Sequence, residues 1–556
     1  MPIPYNLLPT YSELFLTYIN DFEKLRKYFE FDFRNYEEIF KCIDLKRQTY
    51  QTGKNFFRND LCNILKEQNE KFDSGEVTFE NIKLLSSHDT FAVVTGQQLG
   101  FLTGPYYTIL KAINTIQLAE KLNNKFPEFK FVPVFWLEGD DHDFPEINNV
   151  NIISRENEIK NIKYFENGSE QEKYLKPAGN ILLDKFIDDF INDIEGSLNK
   201  TDFTENVFND IRNAYKEGVD IKTAFTVYLN SVLKNKGLIF IDPTDIRLKN
   251  FLKPVFEKEL TTFPAVCEAV INTTVDLEEK YSAQVKPKAI NLFYIHDGNR
   301  YLLEPRDNEI FALKNSRQKF SREELFNILE SNPERFSWNV VTRPVCQDYL
   351  LPTVAYIGGP SEIAYFAQFK EVYRLNELTM PVIYPRTSVT IIENRVQSFL
   401  DKYNLQFEEL FNLKEVSKKL LKNESEADID EIFSQMKEEL TAIFYSNEKL
   451  LSKIDENQTA SFGKRNQQFL DSLNVAKEKF QSTQLKQNEV ISNQLKKALT
   501  NIFPGEILQE RIINVIYFLN KYDNGLIEKM INEIKVDEFS HQLLHTDLIT
   551  ADKVHN

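Results

Sequence analysis

Two short runs of β-branched and aromatic residues, separated by one helix length, constrain the fold of this chain most strongly. FAVVT (91–95) and KFVPVFW (130–136) are typical of buried parallel strands. Between them lies a glycine-rich turn and then a segment from Pro105 to about Leu122, which we predict to be a helix because proline suits a first helical position. A strand, a helix and a second strand at this spacing form a βαβ crossover. The pattern therefore predicts an α/β protein with a Rossmann-type, doubly wound core.

Other parts of the chain are predicted to extend or interrupt this core. GLIFID (237–242) and MPVIYP (380–385) are strand-like. NLFYIHDGNRYLLEP (291–305) predicts a β-hairpin, because Asp-Gly lies between alternating apolar positions. The predicted parts are N-terminal helices with the first half of the core (1–150), a largely helical insertion (151–235), a return to the core (236–260), a second insertion with the hairpin (261–335), the second half of the core (336–390), and a helical coiled-coil arm with a C-terminal segment (391–556).

The last third of the chain changes to long segments rich in Lys, Glu, Gln and Asn. Apolar residues from Ile429 to Ile454 follow alternating steps of three and four, which is a heptad seam with a polar layer at Asn447. Leu440 and Ile443 lie in the middle of this seam. An apolar stripe has to be covered by a partner helix, the core or another subunit. We therefore predict an antiparallel helical arm that joins two copies of the chain into a homodimer.

Composition excludes some classes of function. The chain has 67 Lys and Arg against 84 Asp and Glu, a formal net charge of −17, which argues against a general nucleic-acid binder. Its four cysteines are far apart, so neither a disulfide scaffold nor a zinc ribbon is expected. The first residues lack the pattern of a signal peptide, and the uncharged stretch 91–110 is broken by glycines and a proline. We expect a cytoplasmic protein with no membrane span.

The first segment suited to binding is VVTGQQLGFLTGPYYTILK (93–111). Gly96, Gly100 and Gly104 lie four apart between the strand and the helix, where backbone N–H groups and the helix dipole favour a phosphate or a carboxylate. Tyr107 and Lys111 share one helix face, within reach of this turn. The segment has neither a Walker A motif nor GxGxxG spacing. The alternative is that the glycines serve only tight packing and Lys111 extends its charge to solvent.

The second segment, FWLEGDDHDFPE (135–146), follows a buried strand at its C-terminal end, where open α/β sheets place their ligands. Asp140, Asp141, His142 and Asp143 are crowded, which is costly unless a cation, a ligand ammonium or a histidinium offsets the charge. Such a group is suited to position an amine, to take its proton or to hold magnesium. A solvated acidic loop or a helix cap is the alternative. No further ligand pair has the spacing of a zinc site, so we predict no metal.

The third segment is RPVCQDYLLPTVAYIGGPSEIAYF (343–366), with Arg386 beyond it. Both arginines are suited to bind a carboxylate or a phosphate. Cys346 has apolar neighbours and is expected to be inert packing rather than a nucleophile. The predicted catalytic residues are Asp140, Asp141, His142 and Asp143. The predicted substrate-binding residues are Gly96, Gln97, Gln98, Gly100, Gly104, Tyr107, Lys111, Trp136, Arg343, Gln347, Gly358, Gly359, Glu362 and Arg386.

These three segments, together with LQERIIN near the C-terminus, resemble the BshC family of cysteine-adding enzymes of bacillithiol biosynthesis. The resemblance covers essentially the whole chain and keeps the order of the motifs. It implies a Rossmann-type core with connecting-peptide insertions, related to class I aminoacyl-tRNA synthetases and mycothiol cysteine ligase, and a coiled-coil dimerisation arm. It also implies that L-cysteine is joined through an amide to the amine of glucosaminyl malate, with ATP or ADP as the nucleotide.

The chain lacks the HxGH and KMSKS signatures with which class I synthetases use ATP. Our hypothesis is that the turn after Gly104 and Lys111 hold a phosphate or the malate carboxylates. The acidic loop 140–143 would orient the sugar amine and remove its proton, and Arg343 or Arg386 would bind the remaining anion. Two alternatives are a metal-dependent transferase acting on a sugar nucleotide, with the acidic loop holding magnesium, and a non-catalytic dimeric scaffold that binds a nucleotide.

Overall fold

A computed structural model describes residues 2–51, 57–165, 175–307, 309–422, 429–487 and 489–546. The chain divides into two compact units. One unit consists of Met1–Asn6, Thr10–Ile391 and Ile507–Asn556, and the other of Leu7–Pro9 and Ile392–Glu506. Among the described helices, none is both long and apolar enough to cross a bilayer.

The α-helices are α1 (Glu13–Asn20), α2 (Tyr36–Gln51), α3 (Arg58–Lys71), α4 (Glu76–Leu84), α5 (Tyr107–Lys125), α6 (Phe144–Ile147), α7 (Phe186–Ser197), α8 (Thr204–Ala214), α9 (Ile221–Val232), α10 (Ile246–Thr262), α11 (Ala265–Leu277), α12 (Arg322–Ser331), α13 (Arg343–Leu350), α14 (Pro360–Phe366), α15 (Lys370–Leu375), α16 (Asn394–Tyr403), α17 (Leu413–Lys422), α18 (Ile429–Leu451), α19 (Glu456–Gln487), α20 (Glu489–Ile502), α21 (Gln509–Ile512), α22 (Val515–Tyr522) and α23 (Gly525–Glu533).

The strands are β1 (Thr90–Gln98), β2 (Lys130–Glu138), β3 (Asn149–Ile153), β4 (Ile159–Lys163), β5 (Ile239–Ile241), β6 (Leu292–His296), β7 (Asn299–Pro305), β8 (Ile310–Leu313), β9 (Lys319–Ser321), β10 (Phe336–Trp338), β11 (Thr353–Gly358), β12 (Val382–Pro385), β13 (Ser388–Ile392) and β14 (His541–His545). Short 3-10 turns lie at Tyr5–Leu7, Phe22–Leu25, Phe101–Thr103, Ala178–Asn180, Pro333–Arg335, Phe407–Phe411 and Pro504–Glu506.

Five described strands form the central sheet in the order β12-β11-β1-β2-β5, and every neighbouring pair is parallel. The four predicted core strands are confirmed as β1, β2, β5 and β12, whereas β11 was not predicted. All five are largely buried because helices cover a sheet of this kind. From β1 the chain winds through α5 to β2 and on to β5, whereas from β11 it winds in the opposite direction to β12. Right-handed connections that run in opposite directions place their helices on opposite faces of the sheet. The winding reverses between β1 and β11, which makes this pair the topological switch point.

The two predicted insertions are present, with one difference in the first. Residues 186–232 form α7, α8 and α9 as expected, but the insertion begins with an antiparallel hairpin of β3 and β4, which the polar sequence did not indicate. In the second insertion β6 and β7 pair across Asp297 and Gly298, both with positive φ. That geometry is the one that an Asp-Gly hairpin turn requires. This hairpin is the middle of an antiparallel sheet in the order β10-β6-β7-β8-β9.

The predicted last part, a helical arm with a C-terminal segment (391–556), is divided between the two units. Residues 392–506 form the helical unit, whereas the chain from Ile507 onward belongs to the unit that contains the parallel sheet. Buried polar contacts explain this assignment. Asn514 donates to the carbonyl oxygens of Leu102 (3.0 Å) and Gly104 (2.7 Å), and Gln509 donates to that of Ile391 (3.0 Å). A local helical pattern cannot reveal which unit a short helix will join.

The helical unit contains the predicted antiparallel pair. Phe433 and Phe444 of α18 meet Phe480 and Phe469 of α19, with ring centroids 6.0 and 6.1 Å apart. Phe469 and Phe480 follow the heptad steps predicted for their helix, whereas Phe433 and Phe444 are not members of the seam predicted from Ile429 to Ile454. Most of the seam is instead exposed, with Ile432 47%, Met436 46%, Ile443 51% and Leu450 61% accessible, and Ile454 lies beyond the end of α18. The helix pair therefore leaves an apolar stripe without cover within its own unit.

We predict that this stripe makes the chain a homodimer. Replacing both Met436 and Ile443 with Asp should shift the mass measured by light scattering from about twice 65.2 kDa to 65.2 kDa, because buried carboxylates would oppose association. The control replaces Ser434 and Thr441, two exposed polar residues of the same helix, with Asp and should remain dimeric. A wild-type protein that is monomeric at micromolar concentration would contradict the prediction.

Candidate active site

A cavity of about 700 Å³ lies at the carboxyl ends of the parallel strands. Its wall includes the last residues of β1 and β2, the residues that follow β11 and β12, and side chains from the second insertion. This is the position beside a switch point at which open α/β sheets bind their ligands. Both halves of the core and the second insertion therefore contribute to one site.

The structure changes the interpretation of the glycine segment after FAVVT. β1 does not end at residue 95 but continues to Gln98, so Gly96, Gln97 and Gln98 are strand residues paired with Trp136, Leu137 and Glu138. The three residues line the cavity as predicted. Gly96 is needed for close approach, because a Cβ there would lie 3.3 Å from the Cβ atom and the carbonyl oxygen of Trp136.

Gly100 and Gly104 do not line the cavity, so its position does not support the anion-binding turn predicted from them. Their N–H groups are already bonded, to the carbonyl oxygens of Gln98 and Phe101, each at 2.9 Å. A Cβ on Gly100 would lie 3.0 Å from the Cα of Gly104, whose φ of 68° also favours glycine. The alternative interpretation, that these two glycines serve tight packing, therefore holds for them.

Lys111 and Tyr107 of α5 reach the cavity as predicted. The Lys111 ammonium is buried and lies 2.6 Å from Oε2 of Glu362, and it donates to the carbonyl oxygen of Gly96 at 2.9 Å. Burial alone would raise the pKa of Glu362, but the charge and hydrogen bond of Lys111 outweigh it and hold that pKa below its usual value. Lys111 is therefore an ion-paired side chain that ties α5 to α14, not a lysine that extends to solvent.

Glu138, at the end of β2, is the most unusual titratable group of the cavity and was not among the predicted site residues. The chain has two tryptophans, and both donate their indole N–H to this carboxyl group. Nε1 of Trp338 lies 3.0 Å from Oε1, and Nε1 of Trp136 lies 3.2 Å from Oε2. Burial raises the pKa of Glu138 to about 7, and Arg343 opposes the rise. A carboxylate with this pKa is suited to exchange a proton at neutral pH.

Asp140 is buried outside the cavity lining and pairs with Lys249, whose Nζ lies 2.5 Å from its Oδ2. Although burial opposes ionisation, Lys249 and Arg300 hold the pKa of Asp140 below its usual value. Lys249 in turn lies 3.9 Å from the ring centroid of Trp338. The position of Asp140 does not favour the catalytic role predicted for it, because its ion pair with Lys249 packs against Trp338, which donates to Glu138.

Asp143 also lies outside the lining, and its side chain is exposed at the start of α6. Of the predicted acidic loop, only Asp141 and His142 face the cavity. The local sequence does not show which of the four residues face the cavity, because that depends on the sharp turn of the chain after Glu138.

Asp141 and His142 are organised by Arg300, which lies on β7 of the second insertion. The buried guanidinium donates through Nη1 to Nδ1 of His142 at 3.1 Å and lies 3.6 Å from Oδ1 of Asp141. Burial and the charge of Arg300 lower the pKa of His142, so the imidazole is neutral at physiological pH. Because Nδ1 accepts a hydrogen bond, the proton lies on Nε2. His142 is therefore arranged as a donor. Gln98 donates to Oδ2 of Asp141 at 2.6 Å.

The third predicted segment is only partly in the cavity. Arg343, Gly359, Glu362 and Arg386 line it, together with Trp136 from β2, whereas Gln347 and Gly358 do not. Gln347 is fully buried and accepts from Nη1 of Arg343 at 3.0 Å, so it holds the arginine rather than a ligand. A Cβ on Gly358 would lie 3.3 Å from the Cβ of Glu362. Gly358 therefore permits close packing.

Arg386 is already committed to a protein partner. Its Nη2 donates to Oε1 of Glu510 at 2.6 Å, and both side chains are buried. Burial raises the pKa of Cys346, which lies outside the lining, so the expectation of an inert thiol is consistent with its environment. Within the described ranges, no group of three or more His, Cys, Asp or Glu side chains is placed to hold a metal ion.

The cavity is strongly basic although the protein is acidic. The cations of its wall are Lys111, Lys286, Lys288, Arg300, Lys314, Arg343, Arg386 and Arg511, and its carboxylates are Glu138, Asp141 and Glu362. Glu138 could have been found from the sequence, because it belongs to the acidic motif. Nothing local indicated the residues of the second insertion, since only the tertiary fold brings them to the strand ends. Such a wall is suited to an anionic ligand that also carries an amine.

Comparison with known proteins gives a consistent result over the whole chain. The family model described as "Bacillithiol biosynthesis BshC, N-terminal Rossmann-like domain" matches residues 1–387, and that of the "C-terminal coiled-coil domain" matches residues 389–546. The protein named "Putative cysteine ligase BshC" in Salinibacter ruber is 34% identical over 540 residues, covering 97% of each chain.

Proteins of the same name are similar in two other organisms. That of Chloroherpeton thalassium is 35% identical over 543 residues, covering 94% of each chain. That of Bacillus cereus strain AH187 is 32% identical over 513 residues, covering 90% of this chain and 93% of its own. These matches confirm the resemblance found in the motifs, and the chain belongs to the BshC family of bacillithiol biosynthesis.

Proposed function

We propose that this enzyme is a cysteine ligase that joins L-cysteine to the amine of glucosaminyl malate through an amide bond, as a cytoplasmic homodimer. Family membership supports the cysteine-adding reaction. The observation that carries the proposal is the pairing of a basic cavity with one buried carboxyl group, Glu138, whose pKa is about 7. A sugar amine with an anionic aglycone needs both features: cations for its carboxylates and a base for its ammonium proton.

In this mechanism Glu138 is the general base. The amine attacks only when it is neutral, so a proton must pass from the ammonium nitrogen to a carboxylate oxygen of Glu138. The nitrogen then forms a C–N bond to the cysteinyl carbonyl carbon, the bond from that carbon to the activating group breaks, and this group leaves with the electron pair and takes up the second proton of the amine. Asp140 is unsuited to be the base because its carboxylate is ion-paired with Lys249. His142 is unsuited because its Nδ1 already accepts a hydrogen bond from Arg300. Nε2–H of His142 and the carboxylate of Asp141 orient the reactants.

Activation of the cysteine carboxyl completes the proposal. ATP, when bound, supplies the group that turns the carboxyl into an acylating agent. The glycine turn predicted for its phosphates has no free N–H at Gly100 or Gly104, so the residues that fit a phosphate are the cavity cations. Arg511 is the exposed guanidinium among them. We propose no metal ligand in this chain.

The reaction itself is tested with purified protein, L-cysteine, glucosaminyl malate and ATP, with the amide product detected by mass spectrometry. We expect product only when all three small molecules are present. A strain without the gene should accumulate glucosaminyl malate and lack bacillithiol. Product that forms without cysteine and disappears with EDTA would instead support a metal-dependent transferase, and the absence of any product would overturn the proposal.

Replacing Glu138 with Gln should lower kcat by about 100-fold or more, because the general base is lost. The melting temperature should change less than kcat, since an amide oxygen in the place of Oε2 still accepts from Trp136 and Trp338, each at 3.2 Å. The wild-type kcat should fall as pH drops below about 7, where the carboxyl group becomes protonated, and the variant should lose this acidic limb. Asp143→Asn, an exposed carboxylate of the same segment, is the matched control. An unchanged pH profile in Glu138→Gln would exclude Glu138 as the base.

Replacing Asp140 should mainly lower stability, whereas replacing the adjacent Asp141 should mainly lower turnover. Asp140→Asn leaves the Lys249 ammonium buried without its counter-charge, which should cost about 3–5 kcal/mol of unfolding free energy. Asp141→Asn changes a partly exposed group and should lower turnover by about 10-fold with little loss of stability. Urea unfolding and turnover, measured for both variants, check the prediction. Equal losses of stability in the two variants would contradict it.

A further inference from the structure

Six of the eight cations of the cavity fall into two groups when their protein partners are compared. Of the other two, Lys314 lies 3.9 Å from a carboxylate oxygen of Glu304, and Arg511 is the exposed guanidinium that we assign to a phosphate. Lys111, Arg300, Arg343 and Arg386 each bond to a protein side chain or carbonyl group. Lys286 and Lys288 line the same cavity with exposed side chains that make no hydrogen bond or ion pair to any residue the structure describes. The first group is used to hold the wall together, and the second group is available to a ligand.

Lys286 and Lys288 lie on a segment that is fixed in place. It follows α11 and is anchored by Gln368, a fully buried side chain. Oε1 of Gln368 accepts from the N–H of Val285 at 2.9 Å, and its Nε2 donates to the carbonyl oxygen of Val285, also at 2.9 Å. Val285 is buried, and the N–H of Lys288 donates to Oδ1 of Asn291 at 3.1 Å. The side-chain amide of Gln368 thus bonds to both the N–H and the carbonyl group of Val285, which holds the segment in one position.

The spacing of the two lysines suits a pair of negative charges. Both side chains line the cavity, and Pro287 between them restricts the backbone of the segment. Near the strand ends, Arg300 and Arg343 bond to protein groups and lie beside the carboxyl groups of Asp141 and Glu138, so two further carboxylates are accommodated less favourably there than at Lys286 and Lys288. A ligand with an amine at one end and two carboxylates at the other therefore has one favourable orientation.

We propose that Lys286 and Lys288 bind the dicarboxylate end of the amine substrate, with its amine directed to Glu138. This proposal rests on the proposed function, and it assigns the malyl group to the second insertion instead of to Arg343 or Arg386. The two lysines make the enzyme specific for a glucosamine that carries a dicarboxylate aglycone. They take no part in the proton transfer.

The test compares Lys286→Ala/Lys288→Ala with the wild-type enzyme. We expect KM for glucosaminyl malate to rise by about 100-fold, roughly 10-fold for each charge-assisted contact, while kcat and KM for cysteine change less than about threefold. For methyl glucosaminide, which has no carboxylate, the two enzymes should have the same kcat/KM. Free L-malate should inhibit the wild type and inhibit the variant much less.

The matched control is Lys280→Ala/Lys319→Ala, which removes the same charge at exposed positions outside the cavity. An equal rise of KM in both double variants would reveal a general electrostatic effect and overturn the proposal, as would an unchanged KM in Lys286→Ala/Lys288→Ala. If the wild type forms no amide, calorimetry with glucosaminyl malate still decides the matter. Tight binding that is lost in the lysine variant supports this subsite even though the proposed function has failed.

Discussion

The parallel sheet reverses its direction of winding between β1 and β11, and the position of the cavity depends on this reversal. Where successive strands are added to the sheet in one direction, their connections lie side by side over the strand ends. Where the direction reverses, the two neighbouring connections lead to opposite faces of the sheet and leave a crevice between them. The ends of β1 and β2 supply Gly96, Gln98 and Glu138 to this crevice, and the residues after β11 and β12 supply Glu362 and Arg386. Residues far apart along the chain therefore face one another.

Three buried ion pairs lie around this crevice, and one buried carboxyl group, that of Glu138, differs from them. Lys111 pairs with Glu362, Lys249 with Asp140, and Arg386 with Glu510, each at 2.5–2.6 Å. A buried ion that loses its partner costs several kcal/mol, so these pairs fix the elements that carry them. Glu138 is held instead by the neutral indole N–H groups of Trp136 and Trp338.

The different partners divide the acidic residues by role. Ion pairing keeps Asp140, Glu362 and Glu510 charged, because a nearby cation outweighs the cost of burial. Neutral donors leave Glu138 with a pKa near 7, where both protonation states are accessible. A single protein thus contains carboxylates that hold its structure and one that is suited to move a proton. The motif itself, a run of acidic residues, does not distinguish them.

The sequence by itself determined the fold class, the two insertions, the helical arm and three of the segments that form the site. Each depends on a local pattern: alternation or continuity of apolar residues, an Asp-Gly turn, or motifs long enough to identify a family. Local patterns also placed Lys111, Asp141, His142 and Arg343 correctly among the cavity residues.

Only the tertiary structure decided which members of each motif face the cavity. Asp140 and Asp143 turn away although their neighbours do not, Gly100 and Gly104 pack against each other, and the residues from Ile507 onward join the unit of the parallel sheet. Arg300 and Lys286 reach the site through the second insertion. Their positions depend on contacts between segments far apart in the sequence, Arg300 with His142 and Val285, next to Lys286, with Gln368. No periodicity within either segment encodes such a contact, because it is set by the packing of the whole unit.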